Sequence, residues 1–210
     1  MGIGTFRSQN KVGETMSFQT NSSSANFLIP VVTFLPGLSD RVSWDLGDGS
    51  GYVADSSLSY SYDDTGTTKT VTLRTNKLSN LYGGTFVSDN IVGNLNMTGW
   101  DNLGGNFFIY SNSGLTGITH TTSTQTFSNY RVNNCNLIGN HDMSMFPNLG
   151  GLFLTYNNFD LTGITHTAST QVFSQYRADS CNLIGNHDMS TFPNLGGLFL
   201  TYNNFDLTGI

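Results

Sequence analysis

The residue types able to do chemistry in this chain are few, and most of them recur. Four histidines (His120, His141, His166 and His187) and two cysteines (Cys135 and Cys181) all fall in the second half. His141-Asp142 and His187-Asp188 place an imidazole beside a carboxylate, a pairing that metal binding or acid–base catalysis uses. No Cys-x-x-Cys or His-x-x-x-His spacing accompanies them. There is also no Gly-x-Ser-x-Gly, Gly-rich phosphate loop or catalytic carboxylate pair, so an enzyme is not expected. In the first half, Asp45, Asp48, Asp63 and Asp64 offer hard oxygen ligands that suit calcium, the one candidate cofactor. Aspartates capping turns are the alternative for the same four residues.

The elements that must hold these groups are strands. The 14 acids are 13 Asp and one Glu (Glu14), Ala occurs four times, and Gly 24 times. Helices in water draw on Ala, Glu, Lys and Leu, so an all-α fold is excluded. Abundant Asn, Thr, Ser and Gly with 12% aromatics describes strands joined by tight turns. The net charge of −6, with eight scattered basic residues, could not neutralise a run of phosphates, so nucleic acid is not an expected partner. No run approaches 18 apolar residues, so no membrane span is expected. Met1 to Arg7 lacks the apolar core of a signal peptide.

The chain is internally duplicated. Leu115–Asp160 and Leu161–Asp206 align without gaps at a period of 46, identical at 39 positions. A third copy begins at Leu207 and stops at Ile210, so the natural product is expected to continue further. The same register runs upstream in decayed form, matching Asn102-Leu103-Gly104-Gly105 to Asn148-Leu149-Gly150-Gly151 and Tyr110 to Tyr156.

Each unit is itself double. Leu149-x-x-Leu152-x-Leu154-x-x-Asn157-x-Phe159 alternates with Phe127-x-x-Tyr130-x-Val132-x-x-Cys135-x-Leu137, and Phe173 and Leu195 open the corresponding segments of the second copy. Weaker matches open at Leu81 (with Phe86, Asp89 and Ile91) and at Leu103 (with Phe108 and Ser111). This pattern resembles the leucine-rich repeat family, which implies stacked coils sharing a parallel sheet. Six coils starting at 81, 103, 127, 149, 173 and 195 are expected within residues 77–210, with residues 77–114 as an N-terminal cap. Alternation then turns Leu152, Leu154, Leu198 and Leu200 inward. The outward residues form a column Phe107–Arg131–Phe153–Arg177–Phe199, flanked by Asn133, Thr155, Asp179 and Thr201, as the candidate binding surface. Cys135 and Cys181 sit two coils apart, roughly 10 Å at 4.8 Å per strand. That exceeds the reach of a disulfide, so both are expected as free thiols in a column with Asn157 and Asn203.

Residues 14–76, after an N-terminal arm of residues 1–13, read differently. Val42-Ser43-Trp44-Asp45-Leu46-Gly47-Asp48-Gly49-Ser50 is followed by Ser61-Tyr62, Gly66 and Thr70-Val71-Thr72-Leu73. This resembles the PKD-type immunoglobulin-like domain, with Leu46 where that family has Phe. The resemblance implies a β-sandwich. Asp48-Gly49 reads independently as a turn between alternating segments. The expected fold is therefore mainly β: an Ig-like (PKD-type) β-sandwich plus a leucine-rich-repeat solenoid with a parallel sheet.

The two resemblances together imply a non-enzymatic, extracellular, surface-displayed structural or adhesion protein binding protein or glycan surfaces and self-associating in a larger assembly. A phage virion surface protein (fibre or decoration) needs no signal peptide and is the favoured form. A secreted bacterial cell-surface adhesin, a self-assembling filament subunit and the accessory modules of a secreted hydrolase are the alternatives.

Overall fold

The computed structural model describes residues 13–21, 27–54, 59–62, 67–87, 90–157, 163–165, 174–190, 192 and 194–208. Asp63, Asp64, Asp89, Phe159, His166 and Phe173 lie outside the described residues. The fold is mainly β, and a single 3-10 turn (Leu78–Asn80) is its only helix among the described residues.

The N-terminal strands are β1 (Glu14–Thr20), β2 (Phe27–Leu28), β3 (Val31–Phe34), β4 (Ser43–Asp45), β5 (Tyr52–Ala54), β6 (Ser59–Tyr60) and β7 (Lys69–Thr75). In β1 the alternation of Met16, Phe18 and Thr20 with Thr15, Ser17 and Gln19 buries one face and exposes the other. Strands β4 and β5 form an antiparallel pair around the Asp48-Gly49 turn, where Gly47, Gly49 and Gly51 all take positive φ. A Cβ on Gly47 would lie 2.5 Å from the Thr70 carbonyl oxygen, so this position admits no side chain. Trp44 and Leu46 are wholly buried behind the turn, and the Tyr62 hydroxyl donates to the Leu46 carbonyl at 2.8 Å.

Twelve further strands come in pairs, two per coil: β8 (Leu81–Val87) and β9 (Ile91–Asn96), β10 (Gly105–Tyr110) and β11 (Gly114–Thr119), β12 (Phe127–Asn133) and β13 (Asn140–Asp142), β14 (Gly151–Phe153) and β15 (Gly163–Thr165), β16 (Gln175–Arg177) and β17 (Ile184–Asp188), β18 (Leu198–Phe199) and β19 (Asn204–Thr208). The first strands of the coils stack in parallel as β8-β10-β12-β14-β16-β18. The second strands pair in parallel as β9-β11, β13-β15 and β17-β19. The molecule therefore carries a solenoid-like stack with two strand-bearing faces.

Both sheets run through residue 76. Strand β3 adds antiparallel to β8 at one end of the stack, while β1 lies between β7 and β9. The core is continuous as well: Phe18 meets Phe86 edge-on at 6.0 Å, Phe86 meets Phe107 at 6.1 Å, and Phe107 meets Tyr130 at 5.4 Å. Glu14, the one glutamate, accepts the Leu78 N–H at 2.6 Å and so fastens the 3-10 turn that leads into the first coil.

Candidate binding surface

Parallel pairing sets Phe108, Arg131, Phe153, Arg177 and Phe199 side by side on successive strands. The column is the expected one with a correction at its first member. Phe107 is completely buried, and Phe108 takes the outward place. The ladder between β10 and β12 shifts by one residue between Gly105 and Asn106, and a one-residue slip moves each side chain to the opposite face. Asn106 accordingly points outward, accepting from the Asn129 amide at 2.9 Å.

The column packs largely against itself, with the Nε atoms of Arg131 and Arg177 buried and without a hydrogen-bond partner among the described residues. The Arg131 guanidinium stacks 4.2 Å from the Phe153 ring centroid and 5.5 Å from Phe108, and Arg177 lies 4.5 Å from Phe199. Phe153, expected to be exposed, is only 7% exposed, with the Arg131 guanidinium stacked over it. Phe199 remains 40% exposed, with one arginine over it. The flanking row is also engaged. Asn133 Oδ1 accepts the Thr155 N–H at 3.2 Å, and Asp179 Oδ1 accepts the Thr201 N–H at 3.1 Å and its hydroxyl at 3.0 Å. These side chains staple one coil to the next.

Behind the strand face runs a ladder at the first turn of each coil. Asn157 Oδ1 accepts the Cys135 N–H at 3.2 Å, while its amide donates to the carbonyls of Val132 and Leu154. Asn203 does the same for Cys181, Ala178 and Leu200. Asn112, rather than the expected Ser111, opens the ladder by serving Ile91, Phe86 and Tyr110, a second consequence of the upstream slip. Cys135 and Cys181 are both free and buried. Burial pushes their thiols up to about 11 and about 12, so neither is a nucleophile at neutral pH.

The residue before each ladder position is left-handed: Ser111, Asn134, Tyr156, Ser180 and Tyr202 have φ between 55° and 59°. Asn and Ser tolerate this conformation, whereas a bulky ring there is an outlier. Tyr156 is 65% exposed and Tyr202 88% exposed. A shallow groove beside Tyr156 is lined by Ser113, Asn134, Cys135, Asn136, Tyr156 and Ser180. The sequence reading did not single out either tyrosine, although two Tyr-Asn-Asn triplets in the repeat mark them.

His120, His141 and His187 turn into the core instead. The Tyr130 hydroxyl lies 2.8 Å from His120 Nε2 and 3.3 Å from His141 Nε2. It has one proton to give, so it donates to one imidazole and accepts from the other. Desolvation lowers His120 well below the usual imidazole range and His141 to about 4, leaving both neutral at pH 7. The aspartates of the β4–β5 turn act as caps. Asp45 accepts the Gly47 N–H at 2.9 Å, and Asp48 accepts from Ser50 and Tyr60, which lowers its carboxyl to about 2. Both Asp48 oxygens thus face N–H or O–H donors. Among the described residues, no group of three or more His, Cys, Asp or Glu could hold a metal.

A scan against protein-family models, a search of the curated proteins and a search of the solved structures each return no match.

Proposed function

We propose that this is a non-enzymatic, surface-displayed adhesion or structural protein that meets its partners on the outward strand face and its turn edge. The observation that supports the reading is periodic display. Outward side chains recur every two coils, as in Arg131 and Arg177 on the strand face and in the exposed Tyr156 and Tyr202 at the turn edge, so a repetitive surface meets the same groups several times. The resemblances to PKD-type domains and leucine-rich repeats favour an extracellular setting. Of the forms weighed above, the surface of a phage virion is the one preferred. No helix among the described residues is long and apolar enough to cross a membrane.

The test is binding of the purified chain to intact cells of candidate hosts, compared with an Arg131→Gln/Phe199→Ala variant. Phe199 is exposed and Arg131 half-buried on the outward face, whereas Phe153 is covered and its truncation would disturb packing. A loss of binding of about tenfold or more with unchanged unfolding supports the docking face. Undiminished binding by the variant overturns it.

A further inference from the structure

We infer that the turn edge of the stack is a binding site for a neutral, extended β-1,4-linked glycan, held by the rings of Tyr156 and Tyr202. The inference rests on the adhesion reading and names the ligand class for one edge of that face.

Backbone geometry carries the first part of the argument. Five successive coils pass through the same left-handed residue, and three use Ser or Asn there (Ser111, Asn134 and Ser180). The fold therefore asks for a small polar residue at this place. Tyr156 and Tyr202 sit there at φ 56° and 59° against that preference. Their rings contribute nothing to the core: at 65% and 88% exposure they project into solvent, and neither hydroxyl hydrogen-bonds within the described residues. An unfavourable conformation that yields no packing is the kind of local cost found at binding sites.

Spacing and charge supply the ligand. The two tyrosines lie two coils apart, roughly 10 Å at 4.8 Å per strand. That matches one disaccharide unit of an extended β-1,4-linked chain, so both rings can stack on equivalent sugar faces. Beside Tyr156 the groove presents Ser113, Asn134, Asn136 and Ser180, the last on the coil between the two tyrosines; these are donors and acceptors suited to sugar hydroxyls, and no charged side chain lines the groove. The one thiol in the groove, Cys135, is held neutral by burial. A chain with net charge −6 has no means to attract a polyanion. The complement to this edge is neutral and polar.

The experiment titrates the 210-residue chain with cellohexaose and with chitohexaose, which separates glucose from N-acetylglucosamine as the sugar, and with polygalacturonate as a charged control. Wild type is expected to bind at least one neutral hexasaccharide. Tyr156→Asn/Tyr202→Asn is expected to lose about tenfold or more in affinity, because stacked aromatic anchors carry much of such binding. Asn favours the left-handed backbone, so the same variant should unfold at an equal or higher temperature. A structural role for the tyrosines would instead lower it. Binding of neither neutral hexasaccharide, tighter binding of polygalacturonate, undiminished binding by the variant, or a loss coupled to destabilisation would each overturn the inference. Binding to intact cells that persists when both hexasaccharides fail would sink this assignment alone and leave the adhesion reading standing.

Discussion

The two copies of the 46-residue repeat are nearly the same sequence in two different environments. Leu152 and Leu198 have identical neighbours, yet Leu152 is fully buried and Leu198 only partly so. Phe153 is pinned by an arginine and is 7% exposed, while its twin Phe199 is 40% exposed. The difference is position: β14 is flanked by β12 and β16, whereas β18 forms the edge of its sheet. Burial in this molecule is set by the adjacent coil more than by local sequence, as expected of a stack whose coils have no closed core of their own.

The largest expected effect follows directly. Leu152→Ala should cost about 3 kcal/mol in denaturant unfolding, since the emptied space is enclosed on all sides. Leu198→Ala should cost about 1 kcal/mol, because the site is partly solvated already. Equal costs would break the comparison.

Acid should find the first copy before the second. His141 has its folded pKa depressed to about 4 against 6.5 for the unfolded chain, and His120 is depressed as well. A depressed histidine contributes stability that is present above pH 6.5 and is lost as pH falls through the folded value. Between pH 7 and pH 5 this amounts to about 2 kcal/mol for His141. His187, the twin of His141, is also lowered by desolvation, but by less. His141→Gln should therefore flatten the pH dependence of unfolding in this window more than His187→Gln does, and the reverse order would count against the comparison.

The turn ladder sharpens the same contrast. Asn157 is fully buried, and Asn157→Ala would leave the Cys135 N–H and two carbonyls without their partner, costing about 2 kcal/mol. Asn203 is half-buried, so water can replace it and Asn203→Ala should cost under about 1 kcal/mol. Urea unfolding of the two variants makes the measurement.

How much of this was legible in the sequence depended on where the repeat was clean. From Phe127 onward, the 22- and 24-residue spacing gave the strand register, the Arg–Phe column and the Cys–Asn ladder, because identical spacing leaves stacked strands only one pairing. Upstream, one shifted residue at Gly105/Asn106 exchanged Phe107 with Phe108 and Ser111 with Asn112, and gapless alignment has no means to see it. The hairpin at Asp48-Gly49 was legible from turn chemistry. The insertion of β1 between β7 and β9 was not, since long-range pairing leaves no local signature. The tyrosines were missed for a different reason: their exposure and left-handed backbone are properties of the turn, invisible until its conformation is known.

The smallest expected effect concerns charge. Arg177 lies 3.6 Å from Asp179, while Arg131 has Asn133 at the corresponding position. Asn133→Asp should keep the bond to Thr155, add the ion pair and change stability by about 0.5 kcal/mol or less. A larger gain would show that the stacked guanidinium is far less solvated than its place on the strand face implies.

Hydrogen exchange on the folded 210-residue chain tests the stacking claim most directly. Residues 149–157 and 195–203 are identical, so the intrinsic exchange rates of corresponding amides are the same. The Leu154 and Tyr156 N–H groups donate to the Arg177 and Asp179 carbonyls of the next coil at 2.7 and 3.0 Å, whereas Leu200 and Tyr202 follow the edge strand. The account predicts that Leu154 and Tyr156 exchange about 100-fold or more slowly than Leu200 and Tyr202. Equal protection of the two sets would contradict it.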